Sequence, residues 1–133
     1  MEAVRASGLP VSGTLSMAAV ADHMGDQLGS IAYFDAFEAD LCVLGELTDN
    51  VLFGDVWERK GLSKRDRSLI TVAALTALNA PDQLKGHIWR ALDHGVSPGE
   101  IVEVITHLAF YCGWPSGGSA ALVAKQVFQE RKP

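Results

Sequence analysis

The sequence predicts an all-α protein, a five- to six-helix bundle. Three observations carry that prediction. Apolar residues recur at three- and four-residue steps from Ile31 onward. Helix starts are written into the sequence at Ser63 and Ser97. No segment alternates apolar and polar residues over the length of a strand, and there is no internal repeat.

Residues 1–16, MEAVRASGLPVSGTLS, mix Gly, Pro and Ser without a period. They read as an N-terminal arm, mobile or ordered only by a neighbouring subunit, and residues 17–133 read as one helical domain. Residues 17–29 allow a short helix, weakened by Gly25 and Gly29. From Ile31, the residues Phe34, Phe37, Leu41, Leu44 and Leu47 share one helix face, and this helix is expected to end near Asp49–Asn50. FGDVWERKGL follows, with Gly54 and Gly61 as breaks. Ser63 then reads as an N-cap, with Asp66 in the first turn.

The helix after Ser63, KRDRSLITVAALTALNA, is nearly all apolar beyond Ser68. A helix apolar around most of its circumference is buried on several sides, so it is expected to be central or shared with an oligomer partner. A buried strand is the competing reading of LITVAALTAL, but its length and its Ala and Leu content favour helix. Pro81 suits a first turn and Gly95 the position past a helix end, which brackets a helix over Asp82–His94. Ser97 and Glu100 form a capping box, with Pro98 in the first turn and Val96 placed to staple onto Ile101. That helix is expected to stop at Gly113-Trp114-Pro115, and a last one covers roughly Ser116 to Glu130.

Of the 133 residues, 48% are hydrophobic and 20% charged, with a net charge of −5. This is globular composition, and it lacks the basic excess that a nucleic-acid-tracking surface needs. No apolar run approaches the roughly 18 residues of a membrane span, and Arg5 has no apolar stretch behind it to make a secretory signal. Cys42 and Cys112 lie 70 residues apart, neither a disulfide framework nor a metal cluster. Two free buried thiols in a reducing cytoplasm are the simplest reading. The four histidines, 23, 87, 94 and 107, have no metal-ligand spacing, and G-x-S-x-G is absent.

The stretch GDVWERKGLSKRDRSLITVAALTAL resembles the core signature of the carboxymuconolactone decarboxylase family, a G-x-x-W-x-R-x-G-L turn leading into R-x-R-S-L and an apolar helix. LKGHIWRALDHGVSPGEIVEVITHLAFYCGWPSGGSA resembles the family's second half, and the likeness spans roughly residues 33–128. The resemblance implies an alkylhydroperoxidase D-like all-α fold, usually assembled as a homo-oligomer. It also implies cofactor-free conversion of 4-carboxymuconolactone to the enol-lactone of 3-oxoadipate, with loss of CO₂, in aromatic catabolism. The Ser- and Gly-bearing arm departs from the family pattern and leaves room for another substrate.

Such a reaction leaves an electron pair on carbon, which the unsaturated lactone accepts as a dienolate, so no metal or organic cofactor is needed. The protein must hold a small anionic lactone, donate hydrogen bonds to the developing oxyanion and deliver a proton to carbon. His87 leads the candidates, because an imidazole serves as oxyanion donor or proton donor. In the peroxidase branch the matching position belongs to a C-x-x-C-x-x-x-H motif, although a lone helix histidine is otherwise a core residue bonded to a carbonyl. Glu103 and His107 are four apart and share a face, as an acid-catalytic pair or as a solvent-facing one. Tyr111 lies one turn further on, followed by Trp114.

Arg67 is the candidate grip for a substrate carboxylate, while Arg65 reads as a salt-bridge residue facing Asp66, Glu58 or a neighbouring subunit. Trp57 and Trp89 are candidates to line an apolar pocket or simply core. Gly117 and Gly118 allow close backbone approach or a weak anion-binding helix start.

Thiol-peroxidase chemistry is disfavoured, since the positions seven and four before His87 hold Ala80 and Gln83 rather than a thiol pair. A repurposed lactone or enol reaction and a non-catalytic helical oligomer remain the alternatives.

Overall fold

The structure, a computed structural model, describes residues 42–132. The predicted arm over 1–16, the short helix over 17–29 and the start of the helix at Ile31 lie outside those residues. The chain divides into two compact units, Met1–Gly61 and Leu62–Pro133.

In the first unit, helix α1 (Cys42–Leu47) runs directly into a π-helical stretch, Thr48–Phe53. The expected end near Asp49–Asn50 is thus a loosening of the winding, and the turns stop at Gly54. Glycine is required there by close approach: a Cβ would sit 2.6 Å from the carbonyl oxygen of Asn50. A 3₁₀ turn, Val56–Glu58, follows, and Arg59 grips the Asp55 carboxylate with two N–H groups at 3.0 and 2.8 Å.

The second unit holds four helices: α2 (Lys64–Ala77), α3 (Pro81–Asp93), α4 (Pro98–Cys112) and α5 (Trp114–Glu130). Among the described residues there is no strand. Helices α2 and α5 touch each other, and each packs on both α3 and α4. The core joins Val72, Leu84, Ile88, Ala91, Ile101 and Val127, among others, and all six are essentially sealed from solvent. Each turn is set locally. Ser63 Oγ accepts the Asp66 N–H at 3.0 Å. The His94 and Gly95 amides close α3, with Gly95 at φ +91°. The capping box is complete: Glu100 N–H donates to Ser97 Oγ at 3.2 Å, and Ser97 N–H to Glu100 Oε2 at 2.8 Å. Val96 and Ile101 are both buried beside it.

Two expectations change. Of the two readings of the apolar α2, central or shared with a partner, the central one does not hold within this unit, where the helix is not enclosed on several sides. Ser68, Val72 and Thr76, one stripe at four-residue steps, are buried, while Ile70 and Leu78 are 55% and 75% exposed. The enclosed helix is α3, which buries Leu84, Lys85, Gly86, Ile88, Arg90 and Ala91. The last helix also begins at Trp114, two residues before Ser116, because Gly113 at φ +95° makes the whole reversal and Pro115 fits the first turn.

Candidate functional site

His87 sits midway along α3, largely covered, with its Nδ1 enclosed. Burial pushes its pKa from 6.5 down to about 4, and the positive charge of Arg90 pushes the same way. At neutral pH the ring is therefore a neutral imidazole, able to donate one hydrogen bond and accept another. Arg90 lies three residues on, one turn further along the same face. It is 5% exposed. Burial lowers its pKa to about 10, and the Asp93 carboxylate works against that shift, so the guanidinium is charged at neutral pH.

An ion pair holds Asp93. Arg131, just past the end of α5, donates to Asp93 Oδ1 at 2.7 Å and lies 4.8 Å above the Trp89 ring. The Trp89 indole thus carries a guanidinium on one face. Lys85, nearly buried on α3, donates to Glu130 Oε1 at 2.9 Å.

Arg67 approaches α3 at its C-terminal end. Its neighbour Ser68 meets His94 Nδ1 at 2.8 Å and donates its own hydroxyl proton to the Lys64 carbonyl, which makes His94 Nδ1–H the donor of that contact. His87 is seven residues before His94, about 10 Å along the helix axis. The half-buried Arg67 is therefore about two helical turns from the imidazole, measured along the axis, and Arg90 about 4.5 Å. Arg65 is a bridge residue: it donates to Glu100 of α4 and lies 3.5 Å from Asp66. The partner that sequence reasoning missed is Glu100. Its carboxyl is held below the usual range first by the Ser97 backbone N–H and then by Arg65.

Glu103, His107, Tyr111 and Trp114 all lie on an exposed surface of α4 and the start of α5. Among the described residues no hydrogen bond joins Glu103 to His107. The His107 ring lies instead against Tyr111, centroids 4.6 Å apart, and Phe110 meets Trp114 edge-on at 5.5 Å. Within one chain, then, His87 and this aromatic surface occupy different faces: α3 and α4 are both flanked by α2 and α5, and α4 turns Ile101 and Ile105 inward. Trp57 belongs to the first unit, buried, its ring 5.7 Å from Phe53. Gly117 is explained by packing, since a Cβ there would stand 2.7 Å from Ala109 Cβ, whereas Gly118 faces open space.

A groove of about 420 Å³ runs between α4 and α5, floored by Ile105, Ala124 and Phe128 with Lys125 and Lys132 on its rim, and none of the candidate residues lines it. Among the described residues no cluster of His, Cys, Asp and Glu is placed to hold a metal, and no helix is long and apolar enough to cross a membrane. Cys112 is a free, half-buried thiol.

Arg90 was the functional candidate that sequence reasoning passed over. The available signal was a cation three residues from His87 on a helix otherwise apolar around it: Ile88, Trp89, Ala91, Leu92.

A family model described as the carboxymuconolactone decarboxylase family matches residues 44–126. The chain belongs to this family. Its all-α architecture agrees with that membership. Among curated relatives of this carboxymuconolactone decarboxylase family chain, it is 38% identical over 78 residues to the 4-carboxymuconolactone decarboxylase of Acinetobacter baylyi, covering 59% of this chain and 58% of the relative. It is 35% identical over 85 residues to the nitrosuccinic acid decarboxylase npaB of Metarhizium robertsii, covering 64% and 59%. It is also 32% identical over 80 residues to an uncharacterised 15.0 kDa protein of Paracoccus denitrificans, covering 59% and 60%. The chain matches about three fifths of the length of these relatives.

Proposed function

We propose that this chain is a cofactor-free carboxy-lyase acting on 4-carboxymuconolactone or a related carboxylated lactone in aromatic catabolism, in the cytoplasm. The observation that carries the reading is His87: an imidazole kept neutral by burial on the most enclosed helix of the bundle, in a chain of this family. Family membership alone supports decarboxylation coarsely, through two relatives whose names carry it.

In this reading the C–C bond to the leaving carboxylate breaks, CO₂ departs, and the electron pair passes into the unsaturated lactone as a dienolate. The neutral His87 ring donates its N–H to the lactone oxyanion. Arrival of an anionic substrate beside the ring raises its pKa, so the imidazole gathers the proton that later goes to carbon.

Glu103, His107, Tyr111 and Trp114 join this chemistry only if a second copy presents its α4 surface to His87. We propose such a homo-oligomer. The exposed apolar residues Phe110, Tyr111, Trp114 and Leu122, each about 70% exposed or more, support it, as do Ile70 on α2 and Leu78 just past its end.

The test is direct. Purified full chain is given 4-carboxymuconolactone, and in a parallel reaction nitrosuccinate, and CO₂ release is measured. Turnover of the lactone that falls at least about a hundredfold in His87→Gln supports the reading. No turnover of the lactone, or turnover untouched by His87→Gln, overturns it. Turnover of nitrosuccinate alone moves the substrate from lactones to nitro acids.

A further inference from the structure

We infer that Arg90, buried on the face of α3 that carries His87, is the guanidinium that takes a substrate carboxylate beside the imidazole. The inference rests on the reading of His87 as the centre of a decarboxylase site and goes one residue beyond it.

Position decides between the two arginines. The antiparallel pairing of α2 and α3, fixed by the Ser68–His94 contact, puts Arg67 at the His94 end. Arg90 is one turn from His87, and its charge acts on the imidazole. Burial makes the same choice. A guanidinium 5% exposed has already lost most of its water, so an arriving anion does not have to strip it. Arg90 remains charged there because Asp93 stands beside it, and Asp93 is in turn held by Arg131. A guanidinium offers five N–H donors in a planar fork, and one carboxylate uses two of them.

The arrangement also links binding to protonation. The Arg90 cation disfavours a proton on His87, and a carboxylate seated on Arg90 cancels that field. Anion binding at Arg90 therefore raises the His87 pKa, and the substrate itself primes the ring.

The test uses two readouts on the full chain. The first needs no turnover: ¹⁵N-histidine-labelled protein is titrated with succinate, and the His87 ring signals, assigned by their loss in His87→Gln, are followed against pH. Succinate is expected to raise the His87 pKa in the wild type. In Arg90→Gln the ligand-free pKa is expected to be higher and the response to succinate absent. The second readout is KM for 4-carboxymuconolactone. It is expected to rise at least about tenfold in Arg90→Gln, more than in Arg67→Gln. Should Arg90→Gln fail to fold, Arg90→Lys keeps the charge but not the fork, and succinate is expected to bind it several-fold more weakly than wild type.

A wild-type His87 signal indifferent to succinate overturns the assignment, as does a larger KM effect at Arg67. If the lactone is not turned over but succinate still moves His87 through Arg90, the anion site stands and the reaction reading falls.

Discussion

An imidazole that resists protonation couples the fold to pH. In the unfolded chain His87 titrates near 6.5, and in the folded chain at about 4. Above pH 6.5 both states are neutral at this position and nothing is lost. As pH falls below 6.5 the unfolded chain gains a proton that the folded chain refuses, so stability drops through that window and levels off below pH 4. At pH 5 the loss from this one group is about 2 kcal/mol. Urea unfolding at pH 7.5 and pH 5 checks it. Wild type is expected to lose about 2 kcal/mol more than His87→Gln over that interval. An equal loss in both means that the ring is more open than the structure has it. The same covering that makes the ring useful for oxyanion chemistry therefore sets a cost at low pH.

At the scale of elements, one glycine holds α4 and α5 together and its neighbour does not. Gly117 faces Ala109 so closely that a Cβ would stand 2.7 Å from the alanine Cβ and 3.2 Å from its Cα, both on a rigid helix. Gly117→Ala is expected to force the helices apart and to cost about 1–3 kcal/mol in chemical denaturation. Gly118, with nothing within 4 Å, is a helix-interior glycine without a packing reason. Gly118→Ala is expected to add about 0.5–1 kcal/mol.

This contrast also marks what the sequence makes legible. Capping is local chemistry, so the helix starts at Ser63 and Ser97 and the end at Gly95 are readable residue by residue. Burial is not local. The apolar run of α2 does not say which of its sides a neighbour covers, and Ile70 and Leu78 stay outside. Glu103 and His107 share a face, as four-residue spacing requires, yet His107 turns to Tyr111. Arg90 looks like any surface cation until α3 proves to be the enclosed helix. The glycine pair reads in the sequence as a close backbone approach or an anion site, and only three dimensions give the close approach to Gly117 and open space to Gly118.

At the scale of the molecule, the candidate catalytic residues fall on two surfaces of one chain, and the proposed homo-oligomer is what unites them. His87 is enclosed on α3, while His107 and Tyr111 stand on the outward face of α4. If each site takes its imidazole at 87 from one copy and its α4 surface from another, then a copy lacking His87 and a copy lacking His107 each spoil a different half of the site. Mixed oligomers of the two variants then contain some sites with neither defect. His87→Gln and His107→Gln are each expected to be nearly inactive alone. Co-expressed and co-purified as mixed oligomers, they are expected to recover a substantial fraction of wild-type turnover, up to about a quarter for a random two-copy arrangement. Sites built within single chains cannot do this, because every copy then carries one lesion. The assembly itself is checked by light scattering: Tyr111→Glu places a charge in the exposed aromatic surface and is expected to shift the protein toward monomer and to remove activity together with it. Recovered turnover in the mixture, paired with loss on dissociation, places the α4 surface in the active site. A mixture as inactive as its parents assigns His107 and Tyr111 to assembly or to the surface, and leaves His87 with Arg90 as the whole of the proposed chemistry.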